Sequence, residues 1–158
     1  MKLKGLITVY LRLALGISFL SAVADRFGIW GAPGEPNVGW GNMGNYIDYV
    51  GVLNPSIPET LVPIAGWIAT VFEVTFAILL IIGFKTRVTA VLSGAMLLIF
   101  ALGMTVGIGF KAPLDYSVFS ASAGAFLLFY FQKIPYSLDS LLMKKTGDAR
   151  TLPVEGDN

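Results

Sequence analysis

A chain of 158 residues fits one domain; 55% of them are hydrophobic and only 13% charged, against roughly 25% charged in soluble domains. A fold this apolar could not cover its surface in water, and a formal net charge of +1 excludes a strongly basic nucleic-acid binder. Cysteine and histidine are both missing, which removes disulfides, thiolate metal sites, Cys-ligated clusters and the usual haem and zinc ligands, so no metal site and no cofactor held through Cys or His is expected.

In chain order, the first apolar run covers residues 6–24 and contains one charge, Arg12. Lys2 and Lys4 precede it, and Ala22-Val23-Ala24 ends it. That pattern also fits a cleaved secretory signal, but a signal core avoids an internal arginine, and the spanning reading is preferred. Residues 25–60 form the one long connection, rich in Gly, Pro, Asn and aromatics, with Trp30, Trp40, Tyr46 and Tyr49 suited to a membrane–water interface. Within it, residues 42–50 read as a short helix capped by Gly51. Met43, Ile47 and Val50 share one of its faces.

The second run, residues 61–84, carries Glu73 among small residues at helical spacing: Gly66, Ala69, Thr70 and Ala77. The third and fourth runs, residues 88–110 and 114–131, carry no charge except Lys111 and Asp115 around their junction. Small residues recur there (Gly103 and Gly107; Ser120 and Gly124; Ser117, Ala121 and Ala125) and are read as helix-packing contacts. Beyond them, residues 136–145 fit an amphipathic helix at the membrane surface, with Ile134, Leu138, Leu141 and Leu142 as its apolar stripe. Residues 146–158 lack periodicity and are expected to be disordered.

Each run is near the ~20 residues a helix needs to cross the hydrocarbon core. The expectation is an all-α, four-helix transmembrane bundle over residues 1–145 with a long extracytoplasmic loop between its first two spans. Lys2, Lys4, Lys85, Arg87, Lys133, Lys144, Lys145 and Arg150 fall on one side of it, and only Arg26 and Lys111 on the other. The positive-inside rule then places both termini in the cytoplasm.

Ionisable residues within a membrane are costly and face a partner, the bundle interior or water. Counted from the cytoplasmic ends of their spans, Arg12 lies about 9 Å deep and Glu73 about 16 Å at 1.5 Å per residue. An Arg12–Glu73 ion pair is therefore expected, either fixing helix register or forming a polar site. Asp25, Arg26, Lys111 and Asp115 are expected around the mouth of an outer-face pocket beneath the loop, with Arg12 and Glu73 as its floor.

The chain resembles the DoxX family of small four-helix bacterial membrane proteins. Tyr10-Leu11-Arg12-Leu13-Ala14-Leu15-Gly16-Ile17-Ser18-Phe19-Leu20, followed at the helix exit by Arg26-Phe27, is similar to the family's opening motif. Glu73, then Leu79-Leu80-Ile81-Ile82-Gly83-Phe84 and Lys85-Thr86-Arg87, resembles its Glu–apolar–Gly–Thr–Arg motif. Pro113-Leu114-Asp115-Tyr116-Ser117-Val118-Phe119 is similar to a segment of one branch. The resemblance covers most of residues 6–131. It implies a multi-pass protein of a bacterial cytoplasmic (inner) membrane, and its relatives include a subunit of thiosulfate:quinone oxidoreductase. The expected function is a small membrane subunit of a redox-linked, quinone-interacting assembly, with a membrane or periplasmic redox protein as partner. Two alternatives stay open: a small-molecule or proton-coupled transporter, and a non-catalytic membrane scaffold. Assembly into an oligomer is also open.

Overall fold

The computed structural model describes residues 2–131 and 135–149. Among them are seven α-helices and one 3-10 turn, with no strand: α1 (Lys2–Arg26), α2 (Met43–Leu53), the turn Glu59–Leu61, α3 (Val62–Ile82), α4 (Thr86–Ile108), α5 (Lys111–Asp115), α6 (Val118–Phe129) and α7 (Leu138–Ala149). α1, the turn with α3, and α4 are long and apolar enough to cross a membrane, and α6 is a shorter apolar helix. Large apolar side chains such as Ile17, Val71, Ile99 and Val106 point outward, each more than half exposed, as lipid-facing residues do. Continuous apolar runs become helices because lipid offers no partner for an unpaired backbone group, and the helix satisfies its own.

α1 packs on α3 and α4 on α6, while α3–α4 and α1–α6 contacts close the ring. The centre is filled by Leu15, Phe19, Phe76, Ala77, Leu80, Ala90, Ala125 and Leu128. Gly16 allows the α1–α3 approach: a Cβ there would lie 2.7 Å from Ile81 Cγ1 and 3.0 Å from the Ala77 carbonyl oxygen. At the far end of α3, Gly83 adopts φ 70° and, with Phe84, turns its amide back to the Leu79 carbonyl, a left-handed cap that favours glycine. Its missing side chain leaves room for the Arg12 guanidinium, 2.6 Å from where a Cβ would stand.

Several expected boundaries move. The fourth run is broken: Lys111–Asp115 makes a turn of helix, Ser117 takes φ 55°, and α6 begins only at Val118. At 12 residues α6 is about 18 Å long, short of the ~30 Å hydrocarbon thickness. Gly51 does not end α2, which continues to Leu53. Asn54 ends it instead, its side-chain amide donating to the Val50 carbonyl and its backbone amide to Gly51. α7 starts at Leu138 because the Ser137 hydroxyl accepts from the Ser140 amide, and polar residues 146–149 simply prolong it through Ala149. Ile134 of the expected stripe, Lys133, and residues 150–158 of the expected disordered tail lie outside the described residues.

Candidate functional site

Arg26, the last residue of α1, is the centre of the polar cluster under the long loop. Only 2% of it is exposed, and it forms an ion pair with Glu73, itself 3% exposed. Its Nη1 donates to Thr70 Oγ1 at 2.7 Å, and the Thr70 hydroxyl passes its own proton to the Gly66 carbonyl at 2.9 Å. The guanidinium carbon lies 3.6 Å from the centre of the Tyr46 ring and 5.4 Å from that of Trp40. Trp40 and Tyr46 meet edge to face at 5.0 Å. Arg26 Nε is buried and finds no hydrogen-bond acceptor among the described residues.

α2 brings Tyr46 to this point. Asn42 caps the helix by accepting from the Asn45 amide at 2.8 Å, and Tyr46, Val50 and Leu53 form its buried side. Tyr46 and Val50 pack with Val62, and Gly66 of α3 is the small position over which Tyr46 lies, its ring 3.5 Å from where a Cβ would stand. Burial pushes the Tyr46 phenol up to about 12, against the pull of Arg26, so a neutral ring faces the guanidinium at any working pH.

The expected Arg12–Glu73 pair is not formed; Arg26 takes Glu73 instead. α1 and α3 run antiparallel, with Arg12 level with Leu80–Ile81 and Phe27 beside Trp67. Glu73 thus lies between the two arginines, about 7–8 Å in backbone height from Arg26 and about 11 Å from Arg12 at 1.5 Å per residue. Side-chain direction widens that difference. Every side chain on a helix leans toward its own N-terminus. On antiparallel helices Arg26 and Glu73 lean toward each other, whereas Arg12 and Glu73 lean apart.

Arg12 has other partners. Its Nε donates to the Leu80 carbonyl at 2.8 Å and its Nη2 to Ile81 at 2.9 Å; Nη1 reaches the Pro135 and Tyr136 carbonyls at 3.3 Å. These are the unpaired acceptors of a helix C-terminus and of the chain leading to α7, which a cation stabilises. Asp139 completes that end, accepting from the Lys85 and Thr86 amides at 2.7 and 2.8 Å. Arg12 is a clamp on α3 and the start of α7.

The other residues expected at a pocket mouth do not gather there. Asp25 is buried and accepts from the Gly39, Trp40 and Gly41 amides at 2.9, 3.0 and 3.2 Å, pinning the loop over α1. Lys111 and Asp115 pair with each other one turn apart on α5, both exposed. The space above Arg26 is filled by Tyr46 and Trp40. A groove of about 790 Å³ lies instead at the opposite end, lined by Ile82, Pro135, Tyr136, Ser137, Leu138, Ser140 and Leu141. Sequence reasoning passed over Tyr46 and Trp40 as interface aromatics and Thr70 as a small packing residue. The available signal was the Thr70-x-x-Glu73 spacing, which puts both on the face that receives the end of α1.

The described residues hold no group of three or more Asp or Glu able to bind a metal ion. What they form is an all-helical membrane protein with one buried arginine–carboxylate site roofed by aromatic side chains. The family model described as TQO small subunit DoxD matches residues 43–154, 112 of the 158 residues, and the chain belongs to that family. The match takes in Tyr46, Thr70 and Glu73 but begins after Arg12 and Arg26. Neither a curated protein nor a solved structure matches the chain.

Proposed function

We propose that the protein is the small membrane subunit of a redox-linked assembly in a bacterial cytoplasmic membrane, and that its Arg26 site interacts with a quinone. The family's description as a small subunit supports the first part. So does the composition: with no cysteine or histidine, the chain lacks the common ligands of electron-carrying centres, so these belong on a partner. A quinone supplies a two-electron, two-proton acceptor. The carrying observation for the second part is Arg26 Nε, a buried N–H without an acceptor among the described residues, beside an aromatic face. A quinone carbonyl is the kind of acceptor this donor fits, and a pocket that is mostly apolar with a few placed polar groups is the usual form of a small-molecule site. Arg26 would hold the carbonyl, Thr70 and Glu73 keep Arg26 in place, and Tyr46 and Trp40 exclude water.

In this reading both termini face the cytoplasm and residues 25–60 face outward, following the basic residues. The transporter reading has less support, because the packed apolar layer from Leu15 and Phe19 to Leu128 separates the Arg26–Glu73 cluster from Arg12. The test is gentle detergent extraction of the full chain from its native membrane, followed by mass spectrometry of copurified proteins and lipophilic small molecules. A redox protein and a quinone should copurify, and Arg26→Met should lose the quinone while keeping the protein. Recovery of neither sinks the reading; recovery of proteins without redox centres favours a scaffold.

A further inference from the structure

We infer that the groove at the cytoplasmic end of the bundle holds one anionic phospholipid of the cytoplasmic leaflet, an acyl chain lying along Ile82, Leu138 and Leu141 and the phosphate between Lys4 and Lys85. The inference goes beyond the redox reading and shares with it only the placing of this end in the cytoplasm.

The lining selects for a hydrocarbon chain. At about 790 Å³ the groove falls within the roughly 300–1,000 Å³ of small-molecule sites, and its walls are chiefly Ile82, Pro135, Leu138 and Leu141. The two serines on it turn their polarity on each other. Ser137 Oγ accepts from the Ser140 amide at 3.1 Å, and Ser140 Oγ donates to the Ser137 carbonyl at 2.7 Å. A polar ligand finds little to bond with there, whereas a methylene chain needs no hydrogen bond and gains from burial. Ile82 is the last residue of α3 and 45% exposed, so the groove opens where the apolar span gives way to the headgroup zone. Tyr136, 82% exposed, stands at the same level, where an amphipathic ring is favoured.

The fold presets this groove. Arg12 Nη1 holds the Pro135 and Tyr136 carbonyls. Pro135 rests on Gly5 of α1, its Cγ 2.8 Å from where a Cβ would stand. The Asp139 amide donates to the Gly83 carbonyl at 3.0 Å. Residues 135–139 are thereby tied to α1 and to the end of α3.

Charge selects the headgroup. Lys85 gives its backbone amide to Asp139, which lies between the lining residues Leu138 and Ser140. Lys4 precedes Gly5, on which Pro135 sits. Both lysines are exposed, and neither pairs with a carboxylate among the described residues; the Lys85 ammonium has the Phe84 ring at 5.9 Å. Both oxygens of Asp139 already accept amides, at 2.7 and 2.8 Å. Two unpaired cations flanking an apolar slot match a phosphate carried on an acyl chain, and the cytoplasmic leaflet supplies anionic lipid. A second copy of the chain would instead bring like charges together.

The full chain in maltoside micelles is titrated with dioleoyl phosphatidylglycerol and, separately, with dioleoyl phosphatidylcholine, and retained lipid is counted by native mass spectrometry. One phosphatidylglycerol per chain should be retained, with phosphatidylcholine at least tenfold weaker. Lys4→Gln with Lys85→Asn, the asparagine suiting the φ of 44° there, should weaken phosphatidylglycerol roughly 25-fold, about fivefold per lysine. Lys111→Gln, at the other end of the bundle, should change nothing. Leu141→Glu, at a position 63% exposed, should abolish retention, and glycerol 3-phosphate should not displace the lipid.

Equal retention of the two lipids overturns the inference, as does full retention by the double lysine variant or by folded Leu141→Glu. Displacement by glycerol 3-phosphate would mean a phosphate site without a chain slot, and a dimer lost on Leu141→Glu would mean that a second copy covers the groove; either overturns it. If Leu141→Glu does not fold, the double lysine variant and the lipid pair decide. None of these outcomes depends on whether a quinone or redox protein copurifies, so the proposed function stands or falls separately.

Discussion

Glu73→Ala distinguishes the two arginines. In the structure it removes the carboxylate facing Arg26 and leaves a buried guanidinium with only Thr70 as a polar side-chain partner. Breaking one side of a buried pair costs about 3–5 kcal/mol because the remaining charge stays desolvated. Replacing both, Arg26→Met with Glu73→Leu, leaves no orphan charge and should cost less than Glu73→Ala alone. Arg12 lies beside the α3 C-terminus, about 11 Å in backbone height from Glu73 by the helical rise, and shares no partner with it. Mutations that distant add within about 0.5 kcal/mol. A double-mutant cycle over Arg26 and Glu73 should therefore give a coupling above about 1 kcal/mol, and the cycle over Arg12 and Glu73 a coupling near zero. The assay is unfolding by a denaturing detergent in mixed micelles, followed through Trp30, Trp40 and Trp67 fluorescence. Coupling of Arg12 to Glu73 as strong as that of Arg26 would refute the side-chain-direction argument.

Arg12→Met should itself cost about 3–5 kcal/mol in that assay, since it strips an ionic donor from several carbonyls and charged hydrogen bonds are worth about 1.5–3 kcal/mol each; a loss under 1 kcal/mol would show those carbonyls to be hydrated instead. Tyr46 sets an alkaline limit: burial raises its phenol to about 12, above the ordinary value of 10.0. Above pH 10 the unfolded chain loses this proton first, so stability is full below pH 10 and falls by about 2–3 kcal/mol by pH 12. Tyr46→Phe should remove that part of the decline, and an unchanged pH profile would count against a buried phenol. Asp25→Ala leaves the Gly39, Trp40 and Gly41 amides without their acceptor, so limited proteolysis should cut within residues 27–42 at least tenfold faster, for a loss of about 1.4 kcal/mol or more. Single cysteines at Glu35 and Thr151 should react with an impermeant reagent from opposite sides, Glu35 from outside and Thr151 only after permeabilisation; labelling from one side would overturn the orientation.

Composition and periodicity carry much of the architecture. Long apolar runs with rare charges have one stable form in lipid, and the solvent enforces it regardless of neighbours. The helical character of α1, α3 and α4 follows from that, as does the cost of burying Arg12 and Glu73. α2 was legible from Asn42 and the Met43-x-x-x-Ile47 spacing. The break at Ser117 was not, because a positive φ at a serine leaves no mark in hydropathy. Nor was the end of α2, where Asn54 outweighs Gly51 through two hydrogen bonds.

The partner of Glu73 was beyond the sequence for a definite reason. Depth along a helix is countable from sequence, but the relative height of two helices is set by packing, here by Gly16 against Ala77 and Ile81. That height leaves Glu73 nearer Arg26 than Arg12, and the lean of side chains toward helix N-termini turns Arg26 and Glu73 toward each other. The same height brings the end of α1 beneath α2, so that a residue readable only as an interface tyrosine becomes the ring stacked on the buried guanidinium. Sequence determined which residues are expensive to bury; the tertiary fold decided which of them meet, because partner choice depends on helix offset and side-chain direction, and neither is written in hydropathy.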